Sequence, residues 1–188
     1  MNSIIEEPIE FSGVCDEPEG AIERHVRLMR LTEYNLRRFW SEARKFRTLF
    51  DAEINEDFSK FLSLIVRQVG DAIEPNGLYW VIDDFVGVYY LTDIRVKHSA
   101  QVHYSFFDRR HTGRLGLTRK MISHVFEKYD LRRMNAEFPT FVSEPVVNFI
   151  ESIGFKREGL RKYAVQYKDA WYHQRLYGLL REETESWA

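Results

Sequence analysis

The stretch from Gln101 to Phe138 constrains the fold of this chain more than any other. Gln101–Phe107 alternates in the manner of a β-strand, and a short charged segment containing Gly113 follows it. Residues 113–129 then place Leu117, Met121, Val125 and Tyr129 on one helical face, with Ile122 and Phe126 beside them. Arg133–Phe138 returns as a short strand. A strand, a helix and a second strand joined this closely form a parallel crossover, because only a covering helix can carry the chain back to the start of a parallel neighbour.

The remaining segments supply antiparallel partners. His25–Leu31 alternates like a strand, with Val26 and Leu28 on one side. Thr32 is placed to cap a helix that runs from Tyr34 to about Arg47 and buries Leu36, Phe39, Trp40 and Ala43. Phe58, Phe61, Leu62, Ile65 and Val69 recur at helical spacing, which predicts a second helix over 56–69. Pro75-Asn76-Gly77 is a turn. Leu78–Ile82 and Phe85–Ile94, joined at Asp83-Asp84, read as a hairpin. Ser143 is placed to cap a helix with Pro145 in its first turn, with Val146, Val147, Ile150 and Ile153 inward and Gly154 at its end. Two more strands cover about 155–167, which is bent, and 171–181. The order β-α-α-β-β-β-α-β-α-β-β predicts an α/β (α+β) fold, a mixed and mostly antiparallel sheet of six to seven strands flanked by helices.

Composition narrows the class. The 188 residues suit one domain, and 44% hydrophobic with 15% aromatic content argues for a packed core. No run is long and apolar enough to span a bilayer, and no basic region followed by an apolar stretch opens the sequence. Cys15 is the single cysteine, so no internal disulfide or cysteine zinc site is expected. These features suggest a cytoplasmic protein. Residues 1–23 carry seven acids and no Lys or Arg, leaving 27 basic against 22 acidic residues elsewhere. That surplus is too mild and scattered to predict nucleic-acid binding. The acidic 1–22 segment reads as an irregular solvated tail, with an alternative place beside a site that receives cationic amines. Residues 184–188 read as a C-terminal tail.

A helix that follows a strand through a glycine turn presents unpaired N–H groups and the positive end of its dipole, which together hold an anion. Gly113 has no Cβ to obstruct a phosphate, and Arg109, Arg110, His111, Arg114, Arg119 and Lys120 surround the turn with donors. A pyrophosphate suits that site. An ordinary turn beside a solvated basic helix is the plainer alternative from these residues alone.

Arg110-His111-Thr112-Gly113-Arg114-Leu115 resembles the Gln/Arg-x-x-Gly-x-Gly/Ala motif of the GNAT N-acetyltransferases. Gln101–Phe107 resembles that family's fourth strand and Leu117–Tyr129 its following helix. Asn148–Gly159 resembles the end of its last helix with a Gly-Phe-x-x-Glu-Gly continuation. Trp171–Glu183 is similar to the closing strand of the subgroup that acetylates N-termini of ribosomal proteins. The resemblance spans about residues 25–183, and an acetyltransferase domain over 23–183 is expected from it.

The resemblance implies acetyl-CoA as cosubstrate, lying between the fourth and fifth strands. The pantetheine arm would meet the backbone of Phe106, Phe107 and Asp108. The pyrophosphate would meet Arg110, His111, Thr112, Gly113, Arg114, Leu115 and Gly116. A neutral amine, of a protein N-terminus or a small molecule, would attack the thioester directly in a ternary complex. Glu137, at the end of the short strand, is the candidate base, with His103 the next choice. Ser143 could touch cofactor or substrate, although capping also accounts for it. Three positions depart from the family pattern: Leu115 replaces its second glycine or alanine, Ser143 and Val146 replace Asn and Ser in its Asn-x-x-Ser, and Ile150 replaces a tyrosine acid. Those departures support the competing reading of a catalytically degenerate binding or assembly module. Transfer to a nucleic acid through the basic loop is a third reading, which the balanced charge disfavours. His98, His103 and His111 lack carboxylates at metal-ligand spacing, so no metal is expected. Trp40, Trp80 and Trp171 read as core or rim packing, and Tyr163 and Tyr167 as strand packing or acceptor contacts. The oligomeric state is open, a homodimer included, and no membrane partner is expected.

Overall fold

A computed structural model describes residues 26–46, 52–70, 72–108 and 112–187. The elements are β1 (Val26–Leu28), α1 (Glu33–Ala43), α2 (Ala52–Glu56), α3 (Phe58–Ile65), β2 (Val66–Val69), β3 (Ala72–Pro75), β4 (Gly77–Ile82), β5 (Gly87–Arg95), β6 (Ser99–Phe106), α4 (Arg114–Lys128), β7 (Arg133–Pro139), α5 (Glu144–Ile153), β8 (Lys156–Tyr167) and β9 (Ala170–Leu180), closed by a 3-10 helix over Arg181–Trp187. Seven strands share one sheet in the order β1-β4-β5-β6-β7-β9-β8, and β2-β3 form a separate pair. The β6–β7 pair is parallel, while β1–β4, β7–β9 and β8–β9 are antiparallel. This is the mixed, mostly antiparallel architecture the sequence predicts.

The chain divides into two compact units, residues 1–90 with 104–108, and residues 91–103 with 109–188. In the first, α1 begins where Thr32 Oγ1 accepts from the Asn35 amide at 3.3 Å, the cap its sequence position calls for. Its buried face, Leu36, Phe39 and Ala43, joins Phe61, Ile65, Tyr79, Val81 and Val88 in one core. Phe39 lies edge-on to Phe61 with centroids 5.2 Å apart, a favoured geometry for aromatic pairs. Trp40 packs against this core and donates its indole N–H to the Ile54 carbonyl, whereas Trp80 is buried beside Tyr89.

Two expectations change here. The helix foreseen over 56–69 breaks at Asp57, whose carboxylate accepts from the Ser59 amide and starts α3 afresh. It also ends early, because Val66–Val69 leave the helix as an antiparallel strand against Ala72–Pro75. β-branched Val66 and Val69 favour that extended backbone, and Gly70 at φ +61 allows the reversal. In the first described strand, Leu28 is exposed and the strand stops there. Met29 and Leu31 take the buried positions instead.

In the second unit α4 buries Leu117, Thr118, Met121, Ile122, Val125 and Phe126, and α5 buries Val147, Ile150 and Ile153. β7 alternates strictly, with Met134, Ala136 and Phe138 buried and the residues between them half-buried. β9 follows the same parity at its far end through Tyr177 and Leu179.

Gly87 opens β5 in close contact with β6, since a Cβ there would lie 2.7 Å from the Ser105 carbonyl oxygen. Backbone cannot yield as a flexible side chain can. Gly87→Ala is expected to lower the urea midpoint by the equivalent of about 1–3 kcal/mol with little change in slope.

Candidate functional site

The second unit contains most of the residues that the sequence singles out. The β6–β7 ladder covers only Ser99↔Arg133, Ala100↔Met134 and Gln101↔Asn135, although both strands continue beyond it. β7 keeps a partner on its other side, where β9 pairs with it from Arg133 to Pro139. Past Asn135, β7 has no ladder partner on its β6 side among the described residues.

Gly113 initiates α4 in the left-handed conformation, φ +75 and ψ 8, with no side-chain cap. The first helical bond is Leu117 N–H to the Gly113 carbonyl at 3.0 Å, so the amides of residues 113–116 precede any intrahelical partner. A Cβ at Gly113 or Gly116 would meet nothing within 4 Å. Thr112, Gly113 and Gly116 are exposed and Arg114 and Leu115 are half-buried. Such a turn has the donors and the open approach that a phosphate needs. Leu115 stands half-buried on the first turn of α4. Arg109, Arg110 and His111 lie outside the described residues, as does the acidic segment 1–22.

Arg119 is not one of the phosphate donors. It donates to the Ser152 carbonyl at 2.7 Å and the Ile153 carbonyl at 3.3 Å, capping the end of α5, and its guanidinium lies over the Trp187 ring. Phe106, Phe107 and Asp108 belong to the first unit. There the Phe107 and Asp108 amides both donate to the Val86 carbonyl, at 2.7 and 3.2 Å, and the Phe107 ring packs on Phe39.

Glu137 is half-buried on β7, facing away from the Ala136–Phe138 side. Its Oε2 accepts from Arg161 Nη1 at 3.2 Å, and the same nitrogen donates to Gln174 at 2.7 Å. Nothing in the sequence pairs Glu137 with Arg161, since the contact depends on β9 lying between their strands. Ser143 holds the N-cap position of α5, but its hydroxyl makes no capping bond and the residue is exposed. The expectation that capping occupies this side chain is therefore corrected. Ile150, where the family pattern has tyrosine, is buried in the core.

His103 is half-buried on β6, its Nε2 lying 3.0 Å from Thr92 Oγ1. Burial lowers its pKa to about 4, with the charge of Asp93 opposing. The ring is neutral at physiological pH and a weak base. Trp171 is exposed rather than packed. Tyr163 is also exposed, held at φ +48 with its amide donating to His173 Nδ1 at 3.0 Å, within a register shift of the β8–β9 pair. Tyr167 packs on Phe141. Among the described residues no cluster of three or more His, Cys, Asp or Glu is placed to hold a metal, and no helix is long and apolar enough to cross a membrane.

No protein-family model matches the chain, and no curated protein matches it in sequence. Solved structures match its fold. A spermidine N-acetyltransferase from Vibrio cholerae is 17% identical, with 85% of this chain and 96% of that one covered at a TM-score of 0.64. RimJ from Mycobacterium smegmatis, in complex with CoA-disulfide, is 16% identical, with 84% and 83% covered and a TM-score of 0.61. An acetyltransferase of the GNAT family from Bacillus anthracis is 16% identical, with 87% and 98% covered and a TM-score of 0.57. At these identities the likeness is one of fold.

The neutral state of His103 carries a pH signature. Its folded value, about 4, lies below the ordinary histidine value of 6.5, so the unfolded chain binds the proton first. Its contribution is complete above the ordinary value, falls as pH drops between the two, and is lost once pH passes below the folded one. Urea unfolding at pH 7 and pH 5 is expected to show a smaller loss of stability in His103→Gln than in the parent chain.

Proposed function

We propose that this chain transfers an acetyl group from acetyl-CoA to a primary amine, of a protein N-terminus or a small molecule. One observation carries the reading. Where the parallel β6–β7 ladder stops after three pairs, the crossover helix begins on an uncapped, left-handed glycine with open space around it. That combination, in a fold shared with acetyltransferases, suits a ligand with a pyrophosphate and an extended polar arm.

The amides of Gly113, Arg114, Leu115 and Gly116 would hold the pyrophosphate, helped by the α4 dipole. Acetyl-CoA supplies an activated acyl thioester. Glu137 is the group in the second unit suited to take the amine proton at Oε2, and Arg161 orients that carboxylate at 3.2 Å. Both side chains retain solvent exposure, so their ion pair is weak enough to exchange partners. Ser143, its hydroxyl not used in capping, would be the second side chain to touch substrate.

A cofactor-binding module without catalysis is the competing reading, and buried Ile150 favours it because no proton donor for a leaving thiolate stands there. Kinetics separate the two. Glu137→Gln is expected to reduce kcat roughly 10²-fold or more with little change in KM for acetyl-CoA. CoA binding accompanied by no acetylation of any amine in the parent chain would instead select the module.

Gly113→Val tests the cradle itself. An added Cβ meets no protein atom within 4 Å, the branched side chain occupies the approach to the amides, and the left-handed backbone costs about 1–2 kcal/mol of stability. Calorimetry is expected to show at least roughly tenfold weaker CoA binding, the loss of one charge-assisted hydrogen bond or more. Absence of CoA binding to the parent chain would sink both readings.

A further inference from the structure

Two arginines reach across β9 on the face of the sheet that carries Glu137, and they are used differently. Residues opposite one another in a ladder share a face. Glu137, Leu176 and Gly159 therefore form one row on that face, and Pro139, Gln174 and Arg161 form the next. Arg133, on the same parity of β7, donates from Nε to Asn135 Oδ1 at 2.6 Å and from Nη2 to Glu158, in the space left by Gly178. Arg161 is used at a single nitrogen. Its Nη1 donates to Gln174 Oε1 at 2.7 Å and to Glu137 Oε2 at 3.2 Å, and among the described residues Nε and Nη2 have no partner. Leu176 and Gly159, in the neighbouring row, offer no acceptor side chain.

A charge-assisted bond to a guanidinium is normally about 2.7–2.9 Å, so the full-strength contact goes to Gln174 and the Glu137 contact is the looser one. A pair serving only to tie β7 to β8 would close bidentately, because a guanidinium fork and a carboxylate match in shape. Here the Nε–Nη2 edge stays open beside a carboxylate held through one oxygen. The Arg161 side chain is 55% exposed and that of Glu137 27%, so a solute can reach both. With Glu137 as base for the amine, the open edge faces another part of the same acceptor. Two parallel N–H donors and a positive charge complement a carboxylate. The closeness of Arg161 to Glu137 limits the amine and that carboxylate to a separation of a few bonds.

We propose that the acyl acceptor is a free amino acid, its amine meeting Glu137 while its carboxylate binds the Nε–Nη2 edge of Arg161 and Gln174 fixes Nη1. This rests on the acyl-transfer reading and selects, within it, a small zwitterion over a protein N-terminus. A peptide presents a carbonyl at that position, with one oxygen and no charge for the two donors. The incoming carboxylate competes for the guanidinium and loosens its hold on Glu137 Oε2, leaving that oxygen for the amine proton. No covalent bond is made or broken in the exchange.

L-Alanine, L-alaninamide, isopropylamine and ε-aminocaproate test this with acetyl-CoA and the full chain, followed by CoA release. The amide lacks the charge, isopropylamine lacks the group, and ε-aminocaproate carries it out of reach. The expected kcat/KM is at least about tenfold higher for alanine than for each of the others. Arg161→Met is expected to bring the ratio of alanine to alaninamide near one, and Arg161→Lys to recover part of it. The ratio is taken within each variant, so a loss of orientation at Glu137, which slows every amine, cancels. Unchanged CoA affinity by calorimetry shows that the variants fold. Equal use of alanine and any of the other three, or a preference that persists in Arg161→Met, would overturn the proposal. If CoA binds but no amine is acetylated, the acyl-transfer reading fails by itself. The carboxylate site is then judged by NMR saturation transfer from the CoA-loaded protein to the alanine methyl group. Transfer that Arg161→Met abolishes supports the site, and its absence in the parent chain or persistence in the variant refutes it.

Discussion

The parallel contact between β6 and β7 is the constraint on which the second unit depends. Parallel strands cannot be joined by a tight turn, so those three residue pairs oblige the chain to build α4 as a crossover. The crossover then fixes where α4 begins, and a helix that begins without a side-chain cap leaves amides for something else to satisfy. The early end of the ladder acts on the same region. Every backbone donor and acceptor must find a partner, and past Asn135 β7 has ladder partners only on its β9 side. Both effects set polar backbone beside a chain reversal, and both follow from one short parallel contact in an otherwise antiparallel sheet.

The charged side chains around this frame divide by burial. Glu137 and Arg161 pair where solvent reaches both, which makes their attraction modest and their exchange easy. His103 sits deeper and is held neutral by desolvation, so it can exchange hydrogen bonds with Thr92 but is poorly suited to take a proton from an amine. Of the two candidate bases open from sequence, burial disfavours the imidazole for that reason. Arg175 is the opposite case, a cation that burial cannot neutralise and that its neighbours pair incompletely.

Elements whose periodicity extends over many residues were legible in the sequence. α4 shows three turns of buried residues, β7 alternates without exception, and α1 carries its cap in Thr32. The misreading over 56–69 has a local cause. Phe58, Phe61, Leu62 and Ile65 keep helical spacing, and Val69 happens to continue it across the point where Val66 turns the backbone extended. At the site, Gly113 was legible because a glycine between strand and helix has few other uses. Ser143 was assigned a cap by position, whereas the hydroxyl makes none. The Glu137–Arg161 contact was hidden by the intervening β9, and no one-dimensional pattern encodes it.

Arg119 shows how α4 is tied to the end of α5 and to the 3-10 helix. Its position one turn into α4 suggests an anion donor, yet its reach is used on the last carbonyls of α5. Those carbonyls are orphaned by the helix end, so a guanidinium there satisfies two acceptors at once and complements the negative end of the α5 dipole. The Trp187 ring lies beneath the guanidinium and against Gly154, where a Cβ would stand 3.2 Å from the ring. Gly154 therefore serves twice, as the helix terminator its sequence position suggests and as the space that admits Trp187. The last residues of the 3-10 helix are thereby packed where α4 meets the end of α5. Through Arg119, α4 is held against both the end of α5 and the Trp187 ring.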